Sequence, residues 1–355
     1  MSRCTPFQFT ACVLASSGML IAAQPESADA GSTQSPTAQD EMPPALDAAV
    51  TKGLAFLAQS QDTDGSFDGG RFGKNVAITA LACLAFMADG NLPGRGAYGE
   101  TVDRGLDFVL ENCTESGLIA AEGAHGPMYG HGFATLFLGE VYGMTIGAAD
   151  SARSARVHEA LVRAVRLIER TQNDEGGWRY NPVPYDADVS VTICQVMALR
   201  SARNAGIEVD KNVIDRAVEY ARRCQNPDGG FRYQADGGAS HWPRSAAGVA
   251  TLYYAGIYED NAINSGLLYL ERTSGAASGG SRAHYAYGQY YSAQAMYLAG
   301  GKHWVKWWPD ARKEILSDQQ NDGGWDDRTA GVNYGTAMML IVLQMPKRYL
   351  PIFQK

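Results

Sequence analysis

Positive charge is scarce in this chain: 30 lysines and arginines face 38 acidic residues among 355, giving a net charge of -8 and a pI near 5.3. No stripe or block of basic residues offsets repulsion from phosphates, which argues against a nucleic-acid partner, and no polybasic stretch is present to meet anionic lipid. Cysteine is also sparse. Cys4 and Cys12 fall in the first dozen residues, while Cys83, Cys113, Cys194 and Cys224 stand far apart with no CxxC or Cys/His spacing. That pattern offers no metal framework and reads as buried free thiols on apolar helical runs, with one disulfide as the alternative. The apolar run from Phe9 to Ala23 is shorter than the ~20 residues that span a bilayer, so no stable transmembrane segment is expected after processing.

What that short run does resemble is the core of a signal peptide. Arg3 precedes it and Ala28-Asp29-Ala30 follows as a small-x-small cleavage site, so residues 1–30 are expected to be a cleaved signal and the protein to be exported, periplasmic or secreted. Residues 31–44 are rich in Pro, Ser, Thr, Gln and Ala. They lack the large apolar side chains that would offset the entropy of ordering, and read as a flexible leader. The folded domain is expected over residues 45–355.

Within that domain a pattern repeats. Gln61, Gln172, Gln225 and Gln319 each have a glycine four residues on, preceded by an acidic residue, and an aromatic six residues on: Phe67, Trp178, Phe231 and Trp325. The spacings of 111, 53 and 94 residues suggest a unit of about 50, the kind of period that marks a solenoid or ring. Cys113 with Gly117 and Ile119 fits the first long gap, and Arg272 to Gly280 fits the second weakly, giving six units. Before each joint comes an amphipathic run, such as Val157, Leu161, Val165 and Ile168 with Glu159, Arg163, Arg166 and Glu169 turned away; Asp210 is a plausible N-cap of another. After each joint comes a run without a charged face: Val76 to Met87, Phe133 to Tyr142, Val189 to Leu199, Ala246 to Tyr258, Tyr287 to Leu298 and Val332 to Met345. Helices of the second kind belong in an interior. Six half-exposed helices alternating with six buried ones predict an all-α fold, an α/α toroid with a double wall. The joint residues are expected to act as staples: glycine for left-handed backbone, acid for the turn, glutamine for loop carbonyls, aromatic for the wedge between units.

The Gln-x-x-acidic-Gly-Gly-Trp repeat resembles that of squalene–hopene cyclases and of protein prenyltransferase β subunits, over nearly the whole domain. In the cyclases a GGW segment leads to an Asp-x-Asp-Asp-Thr-Ala motif whose middle Asp protonates a polyprene double bond. The matching stretch here is Asp186, Ala187, Asp188, Val189, Ser190 and Val191. The resemblance therefore implies Asp188 as the acid and Asp186 as its partner, with Val189 where the third Asp would stand. Asp186 is expected to help keep Asp188 protonated by like charge. The prenyltransferases bind zinc through an Asp, a Cys and a His at late inner helices. The corresponding stretches, Ala283 to Tyr291 and Gly331 to Thr336, carry no Asp-x-Cys and no such His, so neither zinc nor another cofactor is expected.

If the inner helices all begin at one end of the ring, their first turns gather polar and aromatic side chains at its mouth. Tyr185, His131, Trp242, His284, Tyr287, Tyr291, Asn333 and Tyr334 are the expected substrate-binding residues. Such a lining suits a hydrophobic small molecule, whose cations aromatic faces stabilise, or a glycan, on whose rings they stack. Two functions stay open: a terpene-cyclase-like enzyme with Asp188 as proton donor, and a toroid that binds lipid or glycan without chemistry. A polysaccharide-lyase-like activity is the weaker third.

Overall fold

The computed structural model describes residues 41–124, 126–145, 151–273 and 282–354. The segment expected as a signal peptide and most of the expected leader lie outside the described residues, as do the glycines of the weak joint sought between Arg272 and Gly280. The described residues contain twelve α-helices and no strand, only isolated bridges. Odd-numbered helices form the outer wall: α1 Pro44–Ser60, α3 Gly99–Glu111, α5 Ser151–Thr171, α7 Lys211–Arg223, α9 Asn261–Thr273 and α11 Gly301–Ser317. Even-numbered helices form the inner wall: α2 Val76–Ala88, α4 Met128–Thr145, α6 Val189–Asn204, α8 Trp242–Tyr254, α10 Tyr285–Ala299 and α12 Val332–Gln344. Each inner helix packs on the next, and α12 packs back on α2, which closes the ring.

The inner helices pack on both sides because most of their residues are buried and most of the buried side chains are apolar; α2, for example, buries every residue but Ala77. Their few polar groups are tied across helix pairs, as buried polar atoms require. Gln195 of α6 donates to the Met128 carbonyl of α4 at 2.8 Å, and Gln344 of α12 donates to the Ala85 carbonyl of α2 at 3.0 Å. Among the described residues the four domain cysteines are free thiols, with Cys83, Cys194 and Cys224 buried.

The joints act as staples. In all four glutamine joints the side-chain amide donates to the carbonyl of its own loop glycine and to a carbonyl of the following outer helix. Gln172, for instance, reaches Gly176 and Val213, both at 2.8 Å, and Gln319 reaches Gly323 and Ala49, both at 2.9 Å. The last pair fastens the end of the ring to its beginning. The loop glycine has positive φ (+96° at Gly176), and a Cβ there would lie 2.3 Å from the Arg216 carbonyl oxygen. The acids differ in use: Asp64, Asp228 and Asp322 each accept the N–H two residues on, whereas in the third joint Asn173 accepts from Gly177 instead. The aromatic is buried in every case, and Trp178 and Trp325 donate their indole N–H to carbonyls of the preceding outer helix. The joint expected around Cys113 is present: Gly117 has φ +89° and meets Arg163 as Gly176 meets Arg216, and Cys113 bridges to Ile119.

Candidate active site

The six inner helices begin at the same end of the ring, since residues from the first turn of each line the same pair of cavities. Their first turns surround two adjoining cavities of about 660 and 640 Å³, which share Tyr129, Tyr180, His284 and Tyr287 as walls. The first is the more apolar, with Val76, Ile78, Phe133 and Tyr334, and holds Arg71 and Asp327. The second is lined by Tyr233, His241, Trp242 and Arg244, with no carboxylate among its described lining residues.

Asp188 is the N-cap of α6. Its Oδ1 accepts the Val191 N–H at 2.9 Å, as a capping aspartate does. The side chain is fully buried, and its Oδ2 accepts the Tyr233 hydroxyl at 3.0 Å. Tyr233 in turn shares a hydrogen bond with the Tyr180 hydroxyl, and both rings line the second cavity. Asp188 therefore does not face the chamber directly; it reaches the wall through one phenol. Burial raises its carboxyl to about 6, against the opposing pull of the Val191 N–H, the Tyr233 hydroxyl and Arg179.

Asp186 departs from expectation. It is partly exposed and bonded to Arg179, so its charge is taken up by the guanidinium, and the raised carboxyl of Asp188 has burial as its cause. The Arg179 guanidinium also stacks on both Tyr180 and Tyr233, at 5.1 and 5.7 Å from the ring centroids.

Of the other expected lining residues, Trp242, His284, Tyr287 and Tyr334 reach the chamber, while four do not. Tyr185 is 86% exposed on the loop outside. Tyr291 is buried away from the chamber, edge-on to Tyr287 and Tyr290 and within 3.4 Å of the Cys194 sulfur. Asn333 donates to the Asp68 carbonyl at 3.1 Å and so ties α12 to the first joint. His131 is a staple: its Nδ1 accepts the Ile119 N–H at 3.2 Å. In the other joints Thr79, Thr192, Ser245 and Thr336 accept the aromatic residue's N–H in the same way. Burial depresses the His131 imidazole to about 4, so it is neutral and accepts.

His284 is unusual in another sense. It caps α10 in the left-handed region, φ 59°, with no side-chain capping bond, and it lines both cavities. Strain of this kind in a non-glycine residue collects at functional sites. Sequence reasoning missed Arg179, Tyr180 and Tyr233. The signal was present: the third and fourth joints read Trp178-Arg179-Tyr180 and Phe231-Arg232-Tyr233, so each places a tyrosine two residues after its buried aromatic, where the chain emerges at the mouth.

Residues 49–282 match the prenyltransferase alpha-alpha toroid domain. The chain is similar to drimenyl diphosphate synthase from Streptomyces showdoensis, 27% identical over 192 residues. That match covers 53% of this chain, and the chain spans only 33% of the length of that relative. Among solved structures it is similar to a type II terpene cyclase from Scytonema, with a TM-score of 0.56 at 16% identity, covering 86% of this chain and 99% of that one. It is also similar to a cellobiose 2-epimerase from Bacillus thermoamylovorans, with a TM-score of 0.62 at 12% identity, covering 85% and 99%. At these identities the structural likeness shows the fold alone.

Proposed function

Because the chain belongs to the prenyltransferase α/α-toroid family, we propose that its chamber holds an isoprenoid-class ligand and that Asp188 supplies the proton that starts a terpene-cyclase-like reaction. The observation that carries this reading is the buried Asp188 carboxyl, raised to about 6 and joined to the chamber wall by the Tyr233 hydroxyl. In the protonated state Asp188 gives its proton to the Tyr233 oxygen as Tyr233 passes its own to an alkene carbon. The alkene π pair forms the new C–H bond and leaves a carbocation. Tyr129, Tyr287, Tyr334 and Trp242 offer aromatic faces to that cation. Ring closure and loss of a proton back through Tyr233 to the Asp188 carboxylate restore the starting state, so the reaction is an isomerisation. The curated relative's name, drimenyl diphosphate synthase, supports the substrate class.

The test is incubation with all-trans farnesyl diphosphate and with squalene, followed by mass spectrometry of the products. Cyclic products that disappear in Asp188→Asn, with turnover rising as pH falls toward 6, are expected. No product from either substrate, together with an extract of the native protein that carries no isoprenoid, would retire the reading.

One observation favours a second reading. The second cavity places His241, His284, Arg244 and Trp242 on one wall, with no carboxylate among its described lining residues, a set that suits a sugar as well as a cation, and sugar epimerases share the fold. A glycan in the native extract would select it. Export rests on the first 30 residues, and N-terminal sequencing of protein from the native host tests it: an intact Met1 in a cytoplasmic fraction would overturn it.

A further inference from the structure

Asp188 Oδ2 is contested. Tyr233 donates to it at 3.0 Å, and Arg179 Nε lies 3.6 Å away, too far for a hydrogen bond. That Nε is buried and makes no hydrogen bond at all, an arrangement that costs free energy when a carboxylate stands so near. The cause is on the other side of the guanidinium, where Nη1 is bonded to Asp186. The rings of Tyr180 and Tyr233 lie within 5.1 and 5.7 Å of the guanidinium carbon and limit its movement.

We propose that Asp186 is a positioning residue: by holding Arg179 through Nη1 it keeps Nε short of Asp188, and so leaves Asp188 able to carry a proton. This rests on the reading of Asp188 as an acid and concerns the regulation of that site. Asp186 then contributes by occupying Arg179, the cation in reach of Asp188 among the described residues, and not by repelling it.

The other groups around Asp188 leave these two in control. Tyr129 of α4, Tyr287 of α10 and Cys194 of α6 face it as neutral groups, since burial raises the hydroxyls well above their usual range and the thiol to about 12. Tyr220 of α7 and Tyr233 are likewise held protonated by burial. Arg244 lies 6.0 Å from the Tyr233 ring centroid, one residue further from Asp188. The charged neighbours in contact with the site are thus Arg179 and Asp186.

Freed from Asp186, Arg179 can close the 3.6 Å gap. At 3.6 Å Arg179 already pulls the carboxyl down, and moving it to hydrogen-bond distance lowers the carboxyl further, by about one unit at an effective dielectric near 20. The experiment is a carboxyl ¹³C titration of aspartate-labelled full-length protein without ligand, with the Asp188 resonance assigned by its loss in Asp188→Asn. Asp186→Asn is expected to move the Asp188 midpoint down by about one unit, and Asp186→Glu, which keeps an anchor for Arg179, to restore it. Arg179→Gln is expected to move it up, since it removes the cation and leaves Asp186 unpaired. If Asp186→Asn does not fold, the upward shift in Arg179→Gln carries the test. Unchanged midpoints in the variants that fold, or shifts of the opposite sign, overturn the proposal. Because no substrate is present, the result is independent of whether the chamber turns over an isoprenoid; absence of turnover with the shifts intact would retire the cyclase reading and leave the positioning role standing.

Discussion

The third and sixth joints of the ring are built alike and end differently. Both bind two carbonyls through a glutamine, both bury a tryptophan whose indole N–H reaches the preceding outer helix, and both hand that tryptophan's backbone N–H to a threonine, Thr192 or Thr336. The third then opens its inner helix with Asp188, a buried carboxylate, and the sixth opens with Gly331, which has no side chain. What recurs is the part the backbone needs in order to turn and to bind one unit to the next. What differs is the residue that opens the inner helix. The comparison teaches that the repeated residues in this chain bind one unit to the next, and that the residue opening an inner helix is free to depart from the repeat.

The largest break in that pattern is expected at the turn itself. Gly176→Ala places a Cβ 2.3 Å from the Arg216 carbonyl oxygen in a backbone with φ +96°, and neither atom can move without displacing α7. A loss of ~3 kcal/mol or more is expected from combined strain and clash, read from urea midpoints. Gly206 also has positive φ, +87°, but faces open space, so Gly206→Ala should lose only ~1 kcal/mol. Equal losses at the two sites would mean that φ alone matters and that the close approach between units does not.

His131 sharpens the comparison, since it sits at a helix mouth but serves the wall. His131→Ala strands the buried Ile119 N–H and leaves a void, which should cost ~2–4 kcal/mol. His131→Thr supplies the hydroxyl used in four other joints and should recover part of it. Neither change should affect ligand binding once a ligand is known; a selective loss of binding in His131→Thr would return His131 to the chamber.

At the mouth the order reverses. Asp188→Asn keeps a capping oxygen for Val191, and Asn caps about as well as Asp, so near pH 4, where the raised carboxyl is protonated in the fold, stability should change by less than ~1 kcal/mol. Turnover should disappear. A large stability loss with turnover retained would make Asp188 a cap only.

These contrasts explain what could be read from the sequence. The toroid was legible because its causes are local and repeated: spacing of glycine and aromatic, alternation of amphipathic and apolar runs. The place of Asp188 at the start of an inner helix was legible because it follows a motif. The way its side chain is reached was not, because Tyr233 belongs to the next unit, 45 residues on, and only closure of the ring brings it to Oδ2. His131 was misread for a related reason: a histidine in a helix's first turn looks chemical, and only the distance to the Ile119 N–H shows that it replaces a threonine. Periodicity predicts neighbours along the chain well. It says little about which side chains from successive units meet at the axis.

A last expected effect sets wall against mouth through pH. His131 titrates at about 4 in the folded protein, below its ordinary 6.5. Between those values the unfolded chain binds the extra proton, so His131 contributes stability that is fully present above 6.5 and is lost as pH falls through 4. Asp188, raised from 3.8 to about 6, acts in the opposite sense. So does Glu140 of α4, raised from 4.5 to about 7 by burial, where it accepts from Ser201 and from the Ile352 N–H of the C-terminal segment. Each of these carboxyls contributes stability that is present below its ordinary value and is lost as pH rises through its folded value. From pH 4.5 to 6, one group gains while two lose, and the three together give a shallow decline. Removing the gaining group should steepen it: His131→Thr is expected to lose stability faster than wild type over pH 4.5 to 6.5, by up to ~1.4 kcal/mol per pH unit. Asp188→Asn should flatten the same curve below pH 6. Urea midpoints measured at half-unit intervals decide it. Parallel curves for wild type and His131→Thr would show that His131 is not held neutral by the wall, and would remove the reason for treating it as a staple.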